Sequence, residues 1–342
     1  MLIDPAQPLA FIKSYVEELD QGLTKQTGTG LSLGQKVWLG FCLMGILVTN
    51  SVCWSRFERA SFGLYRVSAL SWMFRHTRLS WARLLPVSVK LILASHGLSE
   101  GVLVGDDSDQ GRAKGVKRIY KAHKLKDKST GGYRMGQSLV MLLLVTPVLT
   151  IAVGFAFYQP DPRLKAWEKE ARRLKKRGVP KQDRPAKPKR DPGYPTKAEL
   201  LLELLAHFKT DFPELQVKAI LADALYGQKA FMQAASQLFD GVQVISQVRG
   251  NQLIRSRGKW MTLERYFERN GGVAQKIRIR GEEHPTLVTV SAARLVLKAH
   301  GRKCFLIALK YEGETQYRYI VATDLSWRYL DYCPGLHLEM AH

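Results

Sequence analysis

Aspartates stand where two apolar strands are expected to end, a placement that suits carboxylate chemistry at a phosphodiester. The first group, Asp106 and Asp107, follows Val102-Leu103-Val104-Gly105. The second is a lone Asp223 after Ile220-Leu221-Ala222. If these strands are parallel neighbours, both sets emerge at one carboxyl edge, where open α/β sheets place their sites. Mg²⁺ takes a few oxygen ligands and keeps several waters, so two or three carboxylates plus a substrate phosphate suffice. Such ions activate an attacking hydroxyl and stabilise the leaving one in an in-line displacement at phosphorus. Taken singly, either aspartate reads equally well as the cap of a following helix.

The charge balance suits that chemistry. Lys and Arg number 52 against 30 Asp and Glu, a net charge of +22 with an isoelectric point near 9.9. A field this positive attracts a polyanion, with nucleic acid the first candidate and acidic lipid the rival. Lys114, Lys117, Lys121, Lys124, Lys126 and Lys128 crowd one polar segment, either as a solvated face or as contacts to phosphates. Trp260, in Arg257-Gly258-Lys259-Trp260, has two readings: a platform for a base, or a ring packed in the core. His123, His207, His284 and His300 are scattered and read as structural or exposed. Cys42, Cys53, Cys304 and Cys333 form no CxxC pair, which argues against a disulfide framework or zinc site.

Two uncharged stretches, 37–54 and 138–158, imitate membrane spans. The second is broken at Thr146-Pro147 and reads as two buried strands around a turn. The first contains Thr49, Asn50 and Ser51 and runs into charged residues, so a core helix is expected. The N-terminus lacks the basic-then-apolar order of a signal peptide. A cytoplasmic protein that does not enter a membrane is the expectation.

Further elements must position the aspartates. Residues 1–100 read as mostly helical, with Ser32 capping a helix through 37–54, then helices over 56–75 and over 80–94, the last broken near Pro86. Their basic residues are interleaved with Trp54, Trp72, Phe74 and Trp81, which suits a solvated basic face over an aromatic core and also a DNA-end-binding region. Residues 101–249 read as a core of strand, hairpin, helix, strand, helix and strand. Within it, 161–195 is a basic excursion whose second half, 179–195, carries five prolines. Thr196 and Glu199 form a capping box. Residues 250–322 switch to period two with turns at Gly281, Gly301 and Gly313, an antiparallel β insertion. The order suits an α/β mixed sheet flanked by helices.

Several runs then resemble a known family. They are 101–109; Lys124-Leu125-Lys126-Asp127-Lys128-Ser129-Thr130-Gly131-Gly132-Tyr133 with Gly136-Gln137; Val153-Gly154-Phe155-Ala156-Phe157-Tyr158-Gln159-Pro160-Asp161-Pro162; and Asp223-Ala224-Leu225-Tyr226-Gly227. Together they resemble DDE transposases of insertion sequences, the insertion-sequence-four-like group above all. The resemblance implies a ribonuclease-H-like fold with a β insertion before the last catalytic helix. It also implies Mg²⁺- or Mn²⁺-dependent cleavage of double-stranded DNA at terminal repeats, strand transfer into target DNA, and a homodimer on DNA in the nucleoid. The family's first aspartate maps to Asp107, which a hydroxyl residue (Ser108) follows, with Asp106 as the neighbouring alternative. Its second maps to Asp223, with Tyr226 in the motif's aromatic place.

The family's third ligand, a glutamate in Tyr-x2-Arg-x3-Glu-x6-Lys, has no match. After Arg328 the chain reads YLDYCPGLHLEMAH, and Glu339 lacks the Tyr and Arg. Residues 323–342 are therefore read as a truncated or out-of-frame tail. Skipping one base after the Asp331 codon permits a frame containing Tyr-x2-Arg-x3-Glu, which resequencing of the gene tests. Two carboxylates hold metal poorly, so an inactive chain is expected. A DNA-binding regulator derived from a transposase is the alternative, marked by end-binding in a gel shift without Mg²⁺-dependent nicking.

Overall fold

The computed structural model describes residues 8–113, 115–116, 118–127, 129–277, 284–323 and 325. Lys114, Lys117, Lys128, the turn at Gly281 and all of the tail after Leu325 lie outside these. The chain forms two compact units, Met1–Leu98 and Ser99–His342.

The first unit is helical. In α1 (Ala10–Thr27), Ile12, Val16, Leu19 and Leu23 recur every three or four residues and are buried as one stripe. In α2 (Leu33–Thr49), Ser32 and Gln35 exchange capping-box hydrogen bonds. The sequence pattern carried this helix through 54, but Asn50 adopts a left-handed φ of 45° and stops it. The expected helix over 56–75 is two, α3 (Trp54–Ala60) and α4 (Val67–His76). Phe62 and Gly63 between them both have positive φ, which no helix accommodates. In α5 (Trp81–Ser95) the expected break is absent, since the helix runs through Pro86. Proline removes one helical hydrogen bond, and burial of Pro86, Val87, Val89 and Leu93 offsets the loss. Trp38 anchors an aromatic cluster, its ring 6.1 Å from Trp54 and 6.1 Å from Trp81. Among the described residues no single helix is long and apolar enough to cross a membrane, and α2 and α3 meet at 85°.

The second unit is a mixed α/β structure in which the described strands join one sheet. Its first half contains β1 (Glu100–Gly111), β2 (His123–Lys126), β3 (Tyr133–Val145), β4 (Thr150–Tyr158), β5 (Gln216–Ala222) and β6 (Gln243–Val248). β3 runs antiparallel to β1 and β4 antiparallel to β3, while β5 and β6 lie parallel on the other side of β1. The order is β4-β3-β1-β5-β6, with β2 continuing the hairpin beside β3. The uncharged stretch at 138–158 is thus two strands around a turn, β3 largely buried as expected but β4 mostly half-buried or exposed, with Val153 its one buried residue.

The helices of this unit are α6 (Pro162–Lys176), α7 (Lys197–Asp211), α8 (Lys229–Leu238) and α9 (Leu263–Arg269). The proline-rich excursion is tied back to α6 by polar contacts. Trp167 Nε1 donates to the Pro185 carbonyl at 2.8 Å, and buried Asp161 caps α6 while accepting from the Asp191 N–H at 2.9 Å.

The later strands are β7 (Leu253–Ser256), β8 (Lys259–Thr262), β9 (Val273–Ile277), β10 (Thr286–Leu297), β11 (Arg302–Tyr311) and β12 (Arg318–Ala322). The sequence set them apart as an insertion, yet they extend the same sheet, because β12 pairs antiparallel with β6. Hydrophobic continuity accounts for this. Phe305, Ile307 and Leu309 on β11, with Ile320 and Ala322 on β12, share one buried face with Val104, Leu221 and Ile245. Strands with matched apolar faces have more to gain by merging than by leaving two open edges.

Candidate active site

Register brings the aspartates together. β1 and β5 are parallel neighbours in which Gly105 is paired with Ala222, so the next residues, Asp106 and Asp223, come side by side where the β1–β5 ladder ends. β1 itself runs on beside β3 to Gly111, so Asp106 and Asp107 lie within the strand and not after its end as the sequence suggested. Successive strand residues ordinarily point to opposite faces, which would separate Asp106 from Asp107. Here Asp106 Oδ1 accepts the Asp107 N–H at 2.7 Å, and an oxygen of each carboxyl group still comes within reach of the other. Asp106, Asp107 and Asp223 each offer a carboxylate oxygen, and these oxygens lie within 4.8 Å of one another. Asp223 also caps the short 3-10 turn Ala224–Tyr226, and its carbonyl accepts from Ser246 Oγ at 2.8 Å. The capping role weighed against catalysis coexists with the cluster.

Three carboxylates this close repel one another. Desolvation raises the Asp106 carboxyl above the usual carboxylate range although the residue keeps an exposed flank, and the charges of Asp107 and Asp223 push it further. Hard oxygen donors with surplus negative charge fit a hard divalent cation. A cation already sits there, since Lys197 Nζ donates to Asp107 Oδ2. Sequence reasoning missed Lys197, whose only local signal is its place just after the Thr196 cap.

A cleft of about 690 Å³ opens beside Asp223, lined by Gly227, Lys229, Arg249, Gln252 and His300 among others. Among the described residues neither Lys229 nor Arg249 is engaged in an ion pair. His300 is 2% exposed, and its Nε2–H donates to the Gly227 carbonyl at 2.9 Å. It therefore braces the turn that follows Asp223.

Burial holds the His300 pKa below the ordinary value, with Arg302 and Lys229 acting the same way. The unfolded chain therefore binds a proton more readily than the folded one as pH falls below about 6.5. Stability is expected to be fully present above that pH and to decline as the pH drops towards the depressed folded pKa. Comparing urea midpoints from pH 7.5 to 5.5 for wild type and His300→Gln checks it. Equal slopes in the two proteins would remove His300 as the cause.

The other candidate residues do not converge on the cluster. Lys121 Nζ donates to the Phe157 carbonyl at 2.8 Å. Lys124 and Lys126 are exposed on either side of buried Leu125 and so share the outer face of β2. Trp260 is exposed on the β7–β8 hairpin with Lys298 Nζ 5.7 Å from its ring, which removes the core-packing reading.

Comparison with known proteins bears on this geometry. No curated protein sequence matches the chain. Among solved structures, the NurA nuclease from Sulfolobus solfataricus is similar over 72% of this chain and 82% of its own, with 7% identity and a TM-score of 0.28, too slight a likeness to carry an argument. Residues 59–304 match the sequence profile described as DDE superfamily endonuclease. That span takes in β1, β5, all three clustered aspartates and most of the sheet, and on this match the chain belongs to the DDE superfamily of endonucleases.

Proposed function

We propose that this endonuclease is the DNA transposase of an insertion sequence, cutting double-stranded DNA at the element's terminal repeats and joining the ends to target DNA. The observation that carries the reading is the convergence of Asp106, Asp107 and Asp223 where the β1–β5 ladder ends. The order β4-β3-β1-β5-β6, with β3 alone reversed, supports a ribonuclease-H-like core. On this reading Asp106 supplies the third carboxylate that the sequence pattern lacked.

Mg²⁺ or Mn²⁺ held by the three carboxylates would supply an activated hydroxyl and neutralise the leaving oxygen. The chain's own residues do the rest. Lys229 and Arg249 line the cleft beside Asp223 and hold the phosphates of the strand to be cut. Lys124 and Lys126 contact the duplex backbone from the β2 hairpin, and Trp260 offers an exposed face for a base. Lys114, Lys117 and Lys128 are assigned to the same backbone contact on charge alone. A homodimer on DNA, in the cytoplasm at the nucleoid, completes the proposal.

The test is cleavage of duplex carrying the element's own ends. Mg²⁺-dependent nicking supports the transposase, whereas end-binding in a gel shift without nicking supports a DNA-binding regulator. Replacing Lys229 and Arg249 together by Ala is expected to weaken binding to all sequences alike. The slope of log K against log salt should flatten by about two, close to one unit per lost phosphate contact. An unchanged slope by fluorescence anisotropy would take the cleft out of the binding surface.

A further inference from the structure

We propose that Lys197 is the built-in counter-cation of the carboxylate cluster. Its ammonium holds Asp107 while no divalent ion is bound, yields Asp107 when one enters, and then takes a phosphate of the DNA strand as its partner. This rests on the cluster being the metal site of a phosphodiester-cleaving enzyme.

The placement of Lys197 is built rather than incidental. Its side chain and that of Asp107 are both only 18% exposed, and 90 residues separate them in sequence. Lys197 is the first residue of α7, and that end of the helix is fixed by two sets of contacts. Thr196 and Glu199 close a capping box. Glu199 is clamped in turn by both terminal guanidinium nitrogens of Arg190, in the proline-rich excursion. The Tyr158 ring at the end of β4 lies 5.5 Å from Lys197 Nζ. The helix N-terminus adds its own partial positive charge on the same side. A long flexible side chain thus starts from a rigid root beside three carboxylates.

Charge then dictates exclusion. An ammonium on Asp107 and a divalent ion sharing the same three carboxylates repel at contact distance, so the two compete. A single ammonium compensates one of three negative charges, whereas a divalent ion draws on all three, so Lys197 is the partner that yields. Its root stays where it was, and the nearest new anion is the phosphate presented to the cluster. Lys197 therefore sets the divalent-ion concentration at which the site fills, and it couples filling to DNA.

The experiment compares wild type, Lys197→Met and Lys197→Arg as full chains, using Mn²⁺ titrated by electron paramagnetic resonance and duplex binding by anisotropy. Met removes the charge at similar length, so Mn²⁺ should bind about five- to tenfold more tightly, while Arg should stay near wild type. Without divalent ions, Met should leave the salt slope of duplex binding unchanged, because the wild-type ammonium is occupied by Asp107. With Ca²⁺ present, the same substitution should flatten the slope by about one. Should Lys197→Met fail to fold, lysine ¹³Cε signals of the wild type, assigned with Lys197→Arg, report directly, and the Lys197 signal should move on Mg²⁺ titration. Wild-type protein that binds no Mn²⁺ overturns the metal-site reading underneath. Wild-type binding with equal affinity in Lys197→Met, or a Lys197 signal that ignores Mg²⁺, overturns this proposal and leaves that reading standing.

Discussion

Asp223→Asn is expected to lose divalent-ion binding and Mg²⁺-dependent strand cleavage by about a thousandfold or more while the protein stays folded. Loss of an outer-shell partner of a metal ligand already costs about 10–100-fold, and here the ligand's own charge is removed. Asparagine keeps the shape of the side chain and an oxygen able to accept from the Ala224 N–H, as Asp223 does, so the cap persists. Neutralising one of three crowded carboxylates also relieves repulsion, and the melting temperature should hold or rise slightly. Asp106→Asn sharpens the test. If Asp106 completes the set, its neutralisation should cost as much as that of Asp107. If only Asp107 and Asp223 matter, it should cost little. Mn²⁺ affinity and nicking rate, measured side by side, decide between them, and wild-type affinity in Asp223→Asn would end the metal-site reading.

The second large effect lies under the site. Leu201 on α7 is fully buried, and its methyl groups fill the space where Gly105 has no side chain; a Cβ there would overlap Leu201 Cδ2. Gly105 immediately precedes Asp106, so this contact seats α7, and with it Lys197, against the strand that carries two of the carboxylates. Leu201→Ala is expected to cost about 2–5 kcal/mol by leaving a cavity, read as a melting temperature lowered by about 2–4 °C per kcal/mol. Gly105→Ala should cost about 1–3 kcal/mol by overpacking. Combined, the two should cost clearly less than their sum, since the truncated Leu201 makes room for the new methyl. Strict additivity in a urea-melt cycle would show that the helix is seated elsewhere.

Asp107 and Asp223 were legible in the sequence because an apolar run followed by a carboxylate is a local pattern, although β1 continues past its aspartates. Their convergence was legible only as a condition, since it depends on β1 and β5 being parallel neighbours, and the 104 residues between the two strands pass through the β2–β4 hairpins and two helices. Asp106 stood only as the alternative to Asp107 because the motif match turned on the hydroxyl residue, Ser108, that follows Asp107, and a motif that assigns one aspartate cannot show that both come within reach of Asp223. Lys197 and His300 act at the site through partners 90 and 73 residues away, a distance at which spacing says nothing. The late strands were recognisable by period two, but period two shows that a face is buried and not which sheet buries it. Pro86 shows the opposite failure: a strong local signal for a break was overruled by the burial of the residues around it.

The pairing of β6 with β12 has a consequence for the order in which the molecule is made. Val244 N–H donates to Thr323 Oγ1 at 2.9 Å across 79 residues of chain, and Ile245 is matched with Ala322. Until translation reaches that point, one margin of β6 is open to any strand in the crowd around the ribosome. A slow, long-range closure of this kind delays assembly of the sheet. The strand that leads to Asp223 is thus completed early and shielded late, with its neighbour's free rim waiting for β12.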